Sequence, residues 1–379
     1  MPQVRPNCRR AGEGLTVIDV IERFAEAFWL RHGNRVTVDQ RKALQAILQC
    51  RTEALGGHRY DCDCGHAHYA WHSCNHRLCP QCGASDNAEW VGRQLEKLLP
   101  VPYFLVTFTL PAQLRPIALG RHDLIEGFFK DASEALSQLL ADPKRTGFTK
   151  SGFFGVYQSW SQQMRFHPHI HFVVPAVGLS ARNKAVRLKK ADFLIYAQPL
   201  ANRLRTLLLN RLKDDGLIDT ALFWKLWNIE WVADVKPAGG GANAVKYLGQ
   251  YVHHSVISDH RLVAFKGEGV RIRYKNRDTG ALESVWIPGV EFIRRLLLHA
   301  LPGGFHRIRY RGFLHARGKP SLQWLQTLLD ASLPKPEASK PTCTPYLCPR
   351  CGSPMKKGER LARAPPHQRN EHFFSIVAA

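Results

Sequence analysis

Three histidines occupy alternate positions in FHPHIHFVVP, residues 166–175, and run directly into an apolar stretch. Alternate side chains of a strand point to one face. His167, His169 and His171 therefore share a face, and Ile170, Phe172 and Val174 share the other. Pro168 suits the start of such a strand, because proline cannot donate to a ladder from its middle. That leaves His169 and His171 as the regular pair, and two imidazoles at i, i+2 converge on one point, as a divalent cation requires. A third ligand should come from a neighbouring strand. If 153–160 and 169–175 form a hairpin, Gln158 falls opposite His169 on the same face; His167 and Glu230 are its rivals. The alternative is a set of hydrogen-bonded, inert histidines, a reading that explains a single ring better than a same-face pair.

A second group with chemistry lies in VKYLGQYVHHS. Tyr247 and Tyr251 are four residues apart and stack on one face of a helix. Val245, Leu248, Val252 and Val256 form an apolar stripe on the opposite side, so the phenols turn away from the core. A neutral phenol, with a pKa of about 10, is a poor nucleophile. A cation-rich site holding phosphate favours the phenolate, which can attack a phosphodiester and split one transfer into two steps through a phosphotyrosine. Two tyrosines allow two successive strand transfers.

The chain has ten cysteines, five of them between 62 and 82 and three between 343 and 351. Clusters of this kind, without a secretory leader at the N-terminus, point to metal sites rather than disulfides. The first cluster ends in CPQCG, and thiolates at about 2.3 Å around Zn²⁺ would fold a region with little core of its own. Cys62, Cys64, Cys79 and Cys82 are the favoured set, with a C-x-C spacing in the first pair. Cys74, or His58, His66, His72 or His76, could replace one of them. The tail repeats the knuckle with Cys343, Cys348 and Cys351, a candidate second site needing a fourth ligand such as His367 or His372. Cys8 and Cys50 read as ordinary thiols.

These groups need elements to position them. Residues 17–31 and 37–50 read as helices, the second opened by a Thr37–Gln40 capping box. A helix over 84–99 ends at Pro100 and Pro102. The order then becomes strand 103–110, helix 121–141, strands 153–160 and 169–175, helix 199–213 and strand 229–235. This β-α-β-β-α-β order implies an α+β fold of the ferredoxin-like kind, an antiparallel sheet with helices on one face and its first and third strands central. The third strand carries the histidines. A short helix over 242–255 carries the tyrosines, and a small meander and a further helix at 290–300 follow. The expected units are an N-terminal helical segment (1–55), a zinc-binding module (56–90), a nuclease core (98–260), a basic extension (261–332) and a linker with a cysteine-containing tail (333–379).

The chain is 379 residues long with 53 Lys plus Arg against 31 Asp plus Glu, a net charge of +22. Such a balance points to a polyanion, nucleic acid above all. The segments RIRYKNR (271–277) and FHRIRYRGF (305–313) interleave arginines with aromatics and suit a phosphate-tracking surface; Arg271, Arg273, Arg307, Arg309 and Arg311 are the candidate DNA-binding residues. Hydrophobic residues make up 45%, enough for a real core. No uncharged apolar run reaches about 18 residues, so no membrane span is expected. A cytoplasmic, nucleoid-associated protein of a prokaryote is the expectation.

In GGHRYDCDCGH and WHSCNHRLCPQCG (within 56–83), LLPVPYFLVTFTLP (98–111), HPHIHFVVP (167–175), YLGQYVHHSVIS (247–258) and GVEFIRRLLLHALPGGFHRIRYRG (289–312), the chain resembles the HUH superfamily of single-strand DNA nucleases. The resemblance is to the two-tyrosine, rolling-circle transposases of the insertion-sequence-ninety-one type, in that family's order and over most of the chain. It implies metal-dependent nicking of single-stranded DNA at the ends of a transposon, a covalent 5′-phosphotyrosine with a free 3′-OH, and joining to target DNA. Carried over, His169 and His171 are ligands of Mg²⁺ or Mn²⁺, Tyr247 and Tyr251 are nucleophiles, and Zn²⁺ is structural. Two other readings are a rolling-circle replication initiator or relaxase, and a zinc-ribbon DNA-binding regulator whose histidines and tyrosines are inert.

Overall fold

The computed structural model describes residues 14–82, 84–188, 190, 192–252, 255–276, 279–331 and 346–377. Two capping boxes open the chain. Thr16 and Asp19 exchange side chain–backbone bonds at the start of α1 (Val17–His32), and Thr37 and Gln40 do so at α2 (Val38–Gln49), the second pair as its spacing predicts. The hairpin of β1 (Gly57–Asp61) and β2 (Ala67–Trp71) follows, then α3 (Ala84–Leu95).

The central unit comprises β3 (Tyr103–Thr109), the single-turn α4 (Arg115–Ala118), α5 (His122–Ala141), β4 (Gly152–Trp160) and β5 (Phe166–Pro175). A short ribbon, β6 (Val177–Leu179) with β7 (Ala185–Arg187), leads to α6 (Ala197–Asp214), α7 (Thr220–Trp227), β8 (Val232–Pro237) and α8 (Ala242–Val252). The four strands β8, β3, β5 and β4 lie side by side in that order, all antiparallel, so the first and third in sequence are central. The expected strand at 229–235 begins at Val232 instead, because α7 extends to Trp227.

Alternation along these strands makes two different faces. Phe104, Val106, Phe108, Ile170, Phe172 and Val174 pack beneath α5 and α6. Phe172 meets Phe108, Phe129 and Phe153 edge-on, with centroids 5.4–5.9 Å apart. Gly155 makes room for it, since a Cβ there would stand 2.4 Å from the Phe172 ring. On the other face Tyr103, Phe154, Val156 and Val173 pack with Trp90 of α3 and with Val245, Leu248 and Val252 of α8. Helices therefore cover both faces, not one.

The rest of the chain packs around this unit through long-range contacts. β9 (Leu262–Lys266), β10 (Gly269–Lys275) and β11 (Leu282–Pro288) form the expected meander, and α9 (Gly289–Leu297) follows. They share one core with α1 and α2, through Phe24, Phe28, Leu44, Ile47, Val270, Ile287, Phe292 and Leu296. β12 (Ile308–Gly312) joins the central sheet as a fifth strand beside β4, and α10 (Lys319–Leu328) follows it. The tail returns to the N-terminal region: β13 (Lys356–Leu361) pairs with β1, and Phe373 of α11 (Pro366–Val377) meets Trp29 edge-on at 5.9 Å.

Candidate active site and metal centres

The β4–β5 ladder sets Gln158 opposite His169 and Val156 opposite His171, the register the hairpin reading predicts. On the other side of β5, Thr109 and Thr107 stand opposite the same two histidines. His169, His171 and Gln158 are buried at 3%, 5% and 6% exposure, and the two imidazole centroids lie 4.8 Å apart. Both rings use Nδ1 within the protein. His169 Nδ1 donates to the His167 carbonyl at 2.7 Å, and His171 Nδ1 bonds Thr107 Oγ1 at 2.8 Å. A neutral ring that donates from Nδ1 carries its lone pair on Nε2, the tautomer a metal needs. Gln158 Nε2 donates to the Trp160 carbonyl at 3.2 Å, which turns Oε1 away from that bond. Gln158 Oε1 is buried with no hydrogen-bond partner among the described residues. Two imidazole nitrogens and an orphaned amide oxygen fit a divalent cation.

The rival ligands are placed elsewhere. His167 sits at the margin of the sheet, its ring 5.3 Å from that of His169, and its carbonyl already holds His169. Glu230 is exposed, ahead of β8, and β3 separates β8 from the histidine strand. Thr107 was not anticipated. Its only signal in the sequence is a hydroxyl at an alternate position of the otherwise apolar strand YFLVTFT.

α8 lies over this face. The Tyr247 ring is 6.1 Å from that of His171 at 78°, and Tyr247 is 37% exposed while Val245, Leu248 and Val252 are buried. The phenol is thus at once beside the imidazoles and open to solvent. Tyr251 lies one turn on in the same helix; its side chain falls outside the described residues. The helix ends at Val252 rather than 255, and Val256 is buried beyond it.

The cysteines sort differently from the expected set. Cys50, Cys74, Cys79 and Cys82 form one cluster, and Cys62, Cys64, Cys348 and Cys351 form another, with all sulfurs in each within 4.8 Å of one another. Sulfur separations of 3.6 Å for Cys74–Cys82, 3.4 Å for Cys62–Cys351 and 3.7 Å for Cys64–Cys348 approach the roughly 3.8 Å edge of a tetrahedral Zn–S₄ centre. Cys62 and Cys64 therefore do not join Cys79 and Cys82: they ride on the β1–β2 turn, which faces the tail once β13 pairs with β1. Cys50, at the end of α2, belongs to the first four-cysteine cluster instead of standing apart, and Cys74 is a full member of that set. The tail knuckle takes its remaining ligands from the hairpin rather than from His367, which is exposed. Cys8, Cys343 and the His372 side chain lie outside the described residues. In the first cluster, hydrogen bonds from Cys50, Cys74 and Cys79 hold the Cys82 thiol far below its usual range, and the same crowding pushes Cys79 far up. In the second, the Ser353 backbone N–H leads in lowering Cys351 to about 6. Such sets favour thiolate wherever a cation is at hand.

Of the candidate DNA-binding arginines, Arg271 and Arg273 are exposed on β10. Arg307 is buried at 4% exposure, with burial lowering its pKa to about 10. Its Nη1 donates to the Val252 carbonyl at 3.3 Å and its guanidinium lies 5.4 Å from the Trp160 ring, so it braces the end of α8. Arg309 and Arg311 project from β12 to the face opposite the histidines and pair with Glu126 and Glu134 of α5.

Residues 20–110 match the family described as "Transposase zinc-binding domain" and residues 152–321 the family described as "Putative transposase". The chain is 37% identical over 352 residues to "Putative transposase y4qJ" of Sinorhizobium fredii, an alignment covering 87% of this chain and 88% of that protein. The chain belongs to the IS91-type transposases. It is also 28% identical over 292 residues to "Transposase for insertion sequence element IS801" of Pseudomonas savastanoi pv. phaseolicola, covering 72% of this chain and 69% of that one. No solved structure matches the chain. Gln158, His169, His171, Tyr247 and Tyr251 all fall in the transposase's 152–321 span. The zinc-binding span holds the whole first cluster and Cys62 and Cys64, but Cys348 and Cys351 lie far outside it. No helix among the described residues is long and apolar enough to cross a membrane.

Proposed function

We propose that this transposase nicks and rejoins single-stranded DNA at the ends of its element by an HUH-type mechanism, through a covalent 5′-phosphotyrosine, with Tyr247 and Tyr251 as nucleophiles. The observation that carries the reading is the Tyr247 ring 6.1 Å from His171, on the sheet face where His169 and Gln158 converge. His169, His171 and Gln158 would hold a divalent cation, Mg²⁺ or, better suited to two imidazoles, Mn²⁺. That ion supplies polarisation of the scissile phosphate and stabilisation of the charge that develops there.

The chain's own residues do the rest. The His167 carbonyl accepts from His169 Nδ1 and fixes that imidazole's tautomer, and the Thr107 hydroxyl bonds His171 Nδ1 and holds that ring in place. The partly exposed phenol of Tyr247 lets an extended strand reach the site. Its oxygen attacks phosphorus, the bond to the 3′ oxygen breaks, and that oxygen leaves as a hydroxyl, taking a proton. A 3′-OH, from target or element, then attacks the phosphotyrosine and releases the phenol. The net charge of +22 attracts single-stranded element ends and target DNA from solution.

The test is a 3′-labelled single strand carrying an element end, incubated with Mn²⁺ or Mg²⁺ and with EDTA, then resolved under denaturing conditions. The proposal predicts a labelled protein adduct that EDTA abolishes and that the Tyr247→Phe/Tyr251→Phe double variant does not form. An adduct persisting in EDTA or in the double variant would refute it. Binding without any adduct would favour the DNA-binding regulator.

A further inference from the structure

We infer that the cluster of Cys50, Cys74, Cys79 and Cys82 is a positioning device for the tyrosine helix, acting through α3 and a helix crossing at Gly249. Glycine is a poor helix former beside alanine, so its presence inside a helix needs a packing reason. Gly249 sits inside α8 and is buried against α3; a Cβ there would stand 2.5 Å from Val91 Cγ2 and 2.8 Å from Asn87 Oδ1. The α8 backbone at Gly249 thus lies directly against the α3 side chains Asn87 and Val91, and the position of one helix sets the position of the other.

α3 begins at Ala84, two residues after the ligand Cys82, so its start is tethered to the cluster. The same knuckle grips the far end of α8. Ser255 Oγ, three residues past the helix, donates to the Leu78 carbonyl at 2.7 Å. Val256 and Ile257 share a core with Leu78, Cys79 and Cys82. That core also contains Trp160 and Met164, from the end of β4 and the turn into the histidine strand. Arg77 Nη1 donates to the Phe305 carbonyl at 2.7 Å, anchoring the knuckle to the segment that leads into β12. One small cysteine knuckle therefore touches the start of α3, the exit of α8 and the hairpin of the metal ligands. Closing it on an ion fixes the nucleophile relative to the histidines. The catalytic consequence rests on the phosphotyrosine reading above; the mechanical one does not.

The experiment uses the full-length, zinc-loaded transposase and three variants: Gly249→Ala, Val91→Ala and both together. Amide hydrogen exchange over residues 242–252 reports the helix without reference to activity, and adduct rate and DNA affinity are read in parallel. Gly249→Ala should speed that exchange and lower the adduct rate, each by about tenfold, because a misplaced nucleophile loses its attack geometry, while affinity for DNA stays within about twofold. The double variant should recover most of both, since Val91→Ala removes the Cγ2 methyl, the nearer of the two atoms the new Cβ meets, and Asn87 Oδ1 can swing aside at the end of its side chain; Val91→Ala alone should resemble the parent. Cys74→Ser should speed exchange in α8, whereas Cys348→Ser, which opens the other cluster, should leave it unchanged. Unaltered exchange in Gly249→Ala, or a defect that Val91→Ala does not relieve, would overturn the inference. Should the parent form no adduct, the exchange and its rescue still decide it; should Cys74→Ser fail to fold, the Gly249–Val91 pair does.

Discussion

The two four-cysteine clusters have the same donors and comparable sulfur spacings, yet they occupy opposite kinds of place. The first draws its ligands from residues 50–82, has three of four buried, and lies where the N-terminal helices, the sheet's hairpin end and the exit of α8 meet. The second draws two ligands from a surface turn and two from the tail, alternately buried and exposed, and its own apolar company is little more than Met355 and Tyr60. Identical coordination chemistry can thus serve as a keystone or as a staple. What decides is the apolar surface that depends on the centre, not the metal's affinity.

The largest expected effect is at the keystone. Cys79→Ser should release an ion whose binding contributes on the order of 10 kcal/mol to folding of such modules, and the variant should lose cooperative thermal unfolding. Persistence of a sharp transition would erase the distinction between the clusters. Next, His169→Ala should lower the adduct rate about a thousandfold, a little over 4 kcal/mol, while zinc content, folding and DNA binding persist. Parallel loss of zinc would mean that the histidine site and the cysteine centres are one system.

A third effect is a pH dependence beside the keystone. His299 is buried with its ring 5.8 Å from Trp160, bonded to Ser159 and the Met164 carbonyl, and burial lowers its pKa to about 4. The folded state thus holds the neutral ring. Above about pH 6.5 neither state is protonated there and the contribution is fully present; between 6.5 and 4 the unfolded chain takes up the proton first and stability falls, by up to roughly 3 kcal/mol. His299→Gln should flatten that part of the stability–pH curve at constant zinc content, and an unchanged slope would contradict the assignment. The smallest effect on the core belongs to the staple. Cys348→Ser should expose 346–377 to protease while moving the main unfolding transition by only a few degrees, about 1 kcal/mol or less. A large shift would promote the second cluster to a keystone.

What the sequence disclosed follows the range over which its patterns act. The histidine strand, its hairpin register with Gln158 and the outward-facing Tyr247 all follow from periods of two and four residues within one element or one hairpin. The cysteine sorting could not be read this way, because Cys62 and Cys351 are 289 positions apart and only the pairing of β13 with β1 unites them. The spacing of CPQCG invited Cys62 and Cys64 as partners, while Cys50, at the end of an ordinary helix, carried no local signature. The ion pairs of FHRIRYRGF were out of reach for a related reason: Glu126 and Glu134, which stand opposite Arg309 and Arg311, lie on a helix far away in sequence.

The central claim is that the imidazole pair of the sheet and the phenols of α8 make one reactive centre. Mass spectrometry of the peptide that remains attached to DNA after denaturation and proteolysis tests it most directly. The account predicts a 5′-phosphate on Tyr247 or Tyr251, and no modified peptide from the His169→Ala protein. A phosphate on any residue outside α8, or an unchanged yield without His169, would contradict it.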